Sequence, residues 1–218
     1  MLQKRLLVVA TIVTLVLAGG AWFFLAGGHS QPAAGWEIRA TDRTLGNRQS
    51  KVVLIEYASP TCPHCAEFND QVFPDLKRDY IDNGKILYVL RAFMRSPADG
   101  AAEKLARCVP ESRYFDAMDM LFRNQVMWSP GAGVLDLHGG LVRIGRMLGL
   151  EAGQVDACLN STAEDDRLNR QTAEASERYG VTGVPTFVLN GGKVFEGVPS
   201  MPQLSQALEA TLTAGKQP

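Results

Sequence analysis

The junction at residues 51–65 narrows the choice of fold more than any other part of the chain. Lys51–Tyr57 (KVVLIEY) is β-branched and aromatic, as in a central strand buried on both faces. Shortly after it, Cys62-Pro63-His64-Cys65 opens a run in which Phe68, Val72, Leu76 and Tyr80 recur at helical spacing. A strand that feeds a helix through a short turn sets two thiols at the helix N-terminus. Unsatisfied N–H groups and the positive end of the helix dipole there favour a thiolate. Cys62 is expected at the exposed end; Cys65, one turn on, is expected to be buried and within disulfide reach. Pro63 costs nothing at the first helical position, which needs no N–H. A protonated His64 would add positive charge beside Cys62. Glu56 is the anomaly. A carboxylate inside a buried strand is expensive unless it is paired or moves protons.

Around this junction the chain alternates between strand and helix signals. Pro74 should kink or split the first helix. Lys85–Ala92 reads as a second strand, and the order strand, helix, strand points to a right-handed parallel βαβ unit. Upstream, Trp36–Ala40 is expected to form a short edge strand, followed by a polar turn through Asp42, Gly46 and Asn47. Residues 98–179 hold no convincing strand. Helices are predicted over Ala98–Cys108, Ser112–Gln125, Leu135–Leu148 and Thr162–Tyr179, broken at Pro110, Pro130–Gly133 and Gly149–Gly153, with Gly180 as a C-cap. Such short helices must share a core with the sheet, so they form an insertion and not a second domain. Strands return at Thr186–Leu189 and Lys193–Glu196, flanking the hairpin signal Asn190-Gly191-Gly192. A helix over Met201–Leu212, capped by Ser200, closes the chain.

The N-terminal segment sets the compartment. Lys4 and Arg5 precede an apolar run from Leu6 to Ala26, 21 residues long and free of charge. A helix of that length crosses the roughly 30 Å hydrocarbon core. The run exceeds the usual length of a signal-peptide core, although Ala18, Gly20, Ala26 and Gly28 offer small residues for cleavage. Residues 1–28 are therefore read as a retained signal anchor, with a cleaved signal peptide as the alternative; residues 29–35 are a linker. The positive-inside rule then puts the remainder outside the cytoplasm, where disulfides persist. Across all 218 residues the formal charge is −1, which argues against a nucleic-acid partner.

The cysteine pair has two bland explanations. Half of a zinc site is one, but Cys108 and Cys158 lack a second close spacing and the chain has only three histidines. No metal is expected. An inert disulfide is the other, and the strand-to-helix setting behind a buried acid argues against it. The methionines at 94, 118, 120, 127 and 147 suit flexible core filler better than a copper site.

The segments VLIEYASPTCPHCAEF and TGVPTFVLNGG together resemble the DsbA-like thiol oxidoreductases of the thioredoxin superfamily, in the branch with a helical insertion. The similarity covers roughly residues 36–213, with the insertion at about 96–179 and a tail at 214–218. The resemblance implies an α/β thioredoxin fold with an inserted helical subdomain. It implies Cys62 as nucleophile, Cys65 as resolving cysteine, Pro63-His64 as the oxidase-type dipeptide and Glu56 as a buried proton carrier. Val184-Pro185-Thr186 matches the family's cis-proline loop, which holds substrate beside the thiols, and Thr182 joins this substrate-binding set with less warrant. Some members carry a non-catalytic disulfide in the helical region, a role open to Cys108 and Cys158; a second redox centre is the alternative.

The activity expected is therefore the introduction of disulfides into reduced or unfolded exported proteins, with no cofactor, on the periplasmic side of the inner membrane or free in the periplasm. Turnover would need a reoxidising partner, by resemblance a DsbB-like membrane protein. The rival readings are an isomerase or reductase using the same pair, and a membrane-anchored binding or chaperone module with an incidental CxxC.

Overall fold

The computed structural model describes residues 37–214. The N-terminal apolar segment and the linker lie outside the described residues. Among the described residues, no helix is long and apolar enough to cross a membrane.

Among the described residues, five strands form one mixed sheet: β1 (Arg43–Gly46), β2 (Val53–Ala58), β3 (Leu87–Ala92), β4 (Thr186–Leu189) and β5 (Gly192–Glu196), in the spatial order β1-β3-β2-β4-β5. β2 is central, parallel to β3 and antiparallel to β4, and all six of its residues are buried. The predicted βαβ unit is thus β2, helix α1 (Pro63–Gln71), a short helix α2 (Phe73–Leu76), a π-helical turn (Lys77–Ile81) and β3. The break falls at Val72, just before Pro74, whose ring cannot follow a regular helical hydrogen bond.

Alternation along β2 divides its side chains between two cores. Val53, Ile55 and Tyr57 face a small cluster with Leu87, Val89 and Ala175. Leu54 and Ala58 face the main core with Cys62, Cys65, Phe68 and Phe187. The period of two puts Glu56 on that second face, on the side of the thiols.

The edge strand is displaced from its predicted place. Residues 37–40 are not strand; β1 begins at Arg43 and runs antiparallel to β3. Asp42, expected in a polar turn, is instead buried. Its carboxylate takes two hydrogen bonds from Arg91, at 3.0 Å from Nε and 2.7 Å from NH2, and Arg91 also reaches the Tyr57 hydroxyl. The segment before β1 is therefore tied down by a bidentate ion pair under the sheet, which its local sequence does not reveal.

Between β3 and β4 lie α3 (Pro97–Cys108), α4 (Tyr114–Arg123), α5 (Gln125–Trp128), α6 (Leu137–Met147), α7 (Ala152–Leu159) and α8 (Ala163–Tyr179). The predicted helix over 112–125 is divided into a 3-10 turn (Glu111–Arg113), α4 and α5. The expected break at Gly149–Gly153 is confined to a turn at Gly149 (φ 85°): α7 starts at Ala152 and includes Gly153, and its Val155 packs so closely on Gly145 that a methyl group there would collide with it. Gly140 plays the same part against Trp128, whose Cα lies 2.6 Å from where a Cβ would sit. These close approaches let α5, α6 and α7 share the main core with the sheet. Asn190 (φ 45°) and Gly191 (φ 87°) make the β4–β5 turn, both with the positive φ that such a hairpin demands. α9 (Met201–Ala214) closes the chain and buries Leu204 and Leu208.

Candidate active site

The turn from β2 to α1 is built by residues 59–62. The Cys62 N–H donates to Ser59 O at 3.0 Å, and Cys62 takes the extended backbone (φ −81°, ψ 122°) of a helix N-cap, with Pro63 in the first helical position. Asp99, buried on the first turn of α3, fixes this turn from the side. Its Oδ1 accepts from Ser59 Oγ (2.6 Å), Thr61 N (3.0 Å) and Thr61 Oγ1 (2.8 Å). Its Oδ2 accepts from Arg95 N, Ser96 N and Ser96 Oγ at 2.9–3.1 Å. One carboxylate thus joins the turn before Cys62 to the turn before α3. From the opposite side, Gln125 Nε2 donates to Pro60 O and Cys62 O, both at 2.9 Å.

Cys62 and Cys65 are both free thiols and both buried. Cys62 is only 2% exposed, against the expectation of an exposed end, because the loop before β4 lies over it. The thiol donates to Val184 O at 3.5 Å, and the Val184–Pro185 bond is cis. The two sulfurs have opposed acidities. The Cys65 thiol, donating to Cys62, pulls the Cys62 pKa down to about 5 against the cost of burial; the N–H groups of Cys65 and His64 and the charge of Arg95 assist. Cys65 moves the other way, pushed well above the usual thiol value by burial, by its bond to Cys62 and by Glu56.

Glu56 sits beneath this pair, 2% exposed, and accepts a hydrogen bond from the Tyr88 hydroxyl. Burial raises its pKa to about 8; the Tyr88 bond opposes the rise and the negative charge of Cys62 adds to it. The arrangement is an acidic thiol, a basic thiol and a neutral acid beneath them. It suits thiol–disulfide exchange, in which the low-pKa sulfur forms and leaves mixed disulfides while the other needs a proton.

The family model described as Thioredoxin matches residues 39–210. The chain is a DsbA-like member of the thioredoxin superfamily. A Rickettsia felis protein named as a protein-disulfide oxidoreductase is 33% identical over 183 residues, which cover 84% of this chain and 64% of that protein. The chain therefore spans less than two-thirds of that relative. Among solved structures, Wolbachia pipientis α-DsbA1 is 27% identical with a TM-score of 0.71, covering 81% of this chain and 94% of that one. A protein-disulfide isomerase from Novosphingobium aromaticivorans is 28% identical with a TM-score of 0.68, covering 78% and 97%.

In this DsbA-like chain the fold brings Glu56, Cys62, Pro63, Cys65, Val184 and Pro185 to one place. His64 belongs there by its backbone alone. Its ring is 73% exposed and lies 3.2 Å from Glu67 Oε2, while its backbone N–H supports Cys62. The second position of a helix turns its side chain outward and its N–H toward the N-cap. Thr182 is exposed, and its hydroxyl bonds Glu196 Oε1 at 3.1 Å and neither thiol. Cys108 and Cys158 are joined as a disulfide between α3 and α7, with Cα atoms 6.1 Å apart.

Three residues of the site escaped sequence reading: Arg95, Asp99 and Gln125. Ser96-Pro97-Ala98-Asp99 carries the spacing of a capping box, so half of the role of Asp99 had a local signal. Its reach to Ser59 and Thr61, and that of Gln125 to Pro60 and Cys62, cross 38 to 65 residues of chain and had none.

Proposed function

We propose that this chain is an extracytoplasmic thiol:disulfide oxidoreductase that introduces disulfides into exported proteins through Cys62 and Cys65. The observation that carries the reading is the opposed acidity of the two sulfurs, with Cys62 at about 5 and Cys65 well above the usual range. A stabilised thiolate favours the reduced pair, which makes the disulfide an oxidant.

In the proposed cycle a substrate thiolate attacks Cys62 Sγ of the Cys62–Cys65 disulfide. The intramolecular S–S bond breaks, a mixed disulfide forms on Cys62, and Cys65 departs with the electron pair. A thiolate as basic as Cys65 must take up a proton, and protonated Glu56 is the nearby acid able to supply it. A second substrate thiolate then attacks the substrate sulfur of the mixed disulfide and expels Cys62 as its thiolate. Two substrate thiols are oxidised and the active-site pair holds the two electrons. The Val184 carbonyl, which the cis turn at Pro185 holds beside Cys62, would accept a backbone N–H from an extended substrate in place of the Cys62 thiol. A DsbB-like membrane protein would take the electrons onward. The apolar segment 6–26 supports delivery across the inner membrane, either as a retained anchor or as a signal cleaved to leave periplasmic protein.

A second reading, the same chemistry run as an isomerase, draws support from the likeness to the Novosphingobium isomerase. Mixing oxidised full chain with a reduced, unfolded protein tests the proposal. One equivalent should place one disulfide in the substrate and leave Cys62 and Cys65 as thiols. Cys62→Ser should transfer nothing. Undiminished substrate effects in that variant would instead mark a binding module.

A further inference from the structure

The proposed exchange uses the thiols, Glu56 and the Val184 loop, but leaves unexplained the part of the site where Thr61 and Pro63 face Arg95. There, Thr61, Pro63, Arg95, Ser96, Pro130 and Gly131 line an open cavity of about 290 Å³. A second cavity of about 520 Å³ continues past the same Arg95 and Ser96 toward Lys104, Leu159 and Asp165. Arg95 is common to both and is exposed.

Its charge has no carboxylate mate. Among the described residues Arg95 enters no ion pair, whereas the other charged groups of the groove are neutralised: Lys104 Nζ lies 2.6 Å from Asp165 Oδ1. The backbone beneath the cation is fixed. Asp99 Oδ2 holds the Arg95 N–H while Oδ1 holds the Thr61 N–H and hydroxyl, so both walls of the smaller cavity hang on one buried carboxylate. The groove therefore presents an unpaired guanidinium, on a braced turn, beside the helix end that bears Cys62. A planar fork of donors in that place suits a carboxylate.

We propose that this groove is a substrate subsite, in which Arg95 selects cysteines flanked by an acidic residue. The inference rests on the redox reading above and adds the substrate class to it. A peptide that pairs with the Val184 carbonyl beside Cys62 would run on past Arg95. An aspartate or glutamate near its cysteine would meet the cation, and a lysine would be repelled.

The test uses oxidised full chain and three reduced cysteine peptides that differ only in the flanking residue: Glu, Gln or Lys. Rates of oxidation are compared within each enzyme, so that any general change in Cys62 reactivity cancels. For wild type at low salt, Glu should outrun Gln by up to about fivefold, the worth of an exposed ion pair, and Lys should be slowest. The spread should shrink at high salt, vanish in Arg95→Ala and reverse in Arg95→Glu. Equal rates for the three peptides in wild type, or the same ranking in wild type and Arg95→Ala, would overturn the proposal. Oxidation of dithiothreitol, which has no flanking residue, reads the redox chemistry alone. Its loss in wild type would sink the redox reading, whereas dithiothreitol oxidation without peptide discrimination would sink only the Arg95 subsite.

Discussion

Replacing Glu56 by Gln should change how stability depends on pH, in a direction opposite to that usual for carboxylates. The Glu56 pKa is raised from 4.5 to about 8, chiefly by burial, so between these values the folded state holds a proton that the unfolded chain has released. Stability from this group is fully present below 4.5, declines as pH rises, and is lost once pH passes 8. One proton over one pH unit is worth about 1.4 kcal/mol, so from pH 5 to pH 7 the oxidised wild type should lose about 2.5 kcal/mol through Glu56. The oxidised form isolates the effect, because a disulfide-bonded Cys62 does not titrate, and its charge is the smallest named contribution to the shift. Gln carries no proton to lose. Urea denaturation of both oxidised proteins at pH 5, 6, 7 and 8 measures the difference, since every other titrating group is common to the pair. Glu56→Gln should gain on wild type steadily with pH. Parallel pH profiles would refute the argument, because they would mean that Glu56 is ionised in the folded protein or open to water.

Three further outcomes are expected. Cys65→Ala, challenged with a disulfide-bonded peptide, should accumulate a covalent adduct on Cys62 that mass spectrometry detects; Cys62→Ala should form none. Asp99→Ala strands six donors around a buried site, so unfolding should cost at least about 3 kcal/mol less. Its Cys62 pKa, followed by thiolate absorbance, should rise as Arg95 and the Thr61 turn lose their tie. The double variant Cys108→Ala/Cys158→Ala opens a loop with a sequence separation of 50. It should lose about 4 kcal/mol of stability in denaturant titration, with the reduction potential of Cys62–Cys65 unchanged; a shifted potential would make the second pair part of the redox machinery.

The parts of the fold legible in sequence were those with strong local patterns. The β2 run, the Cys62–Cys65 helix start, the Asn190-Gly191 turn and the Gly180 cap each carry their own physics in a few adjacent residues. Glu56 stood out for the same reason: a carboxylate in an otherwise apolar strand is anomalous wherever it is found. The misplaced edge strand shows the opposite case. β1 is set by a buried Asp42–Arg91 pair across 49 residues of chain, and nothing near Asp42 announces it. α7 escapes a local reading because Gly149 and Gly153 look like one continuous break: Gly149, at φ 85°, does make the turn, but Gly153 sits inside the helix, and the packing of Val155 on Gly145 that seats α7 has no signal in those residues. At the site, spacing marked the thiols, but burial of Cys62 and its bracing by Asp99 and Gln125 depend on segments brought in from far along the chain. His64 shows a subtler limit. Helix geometry brings its N–H to Cys62 and turns its ring to Glu67, a division that the residue type alone does not reveal.

The central claim is that the site stabilises the reduced pair and so makes its disulfide an oxidant. The most direct measurement is the reduction potential of Cys62–Cys65, by equilibration of the full chain with glutathione buffers. The account predicts a value on the oxidising side, toward about −120 mV. A value near about −270 mV would contradict it and make the chain a reductase in need of an electron donor.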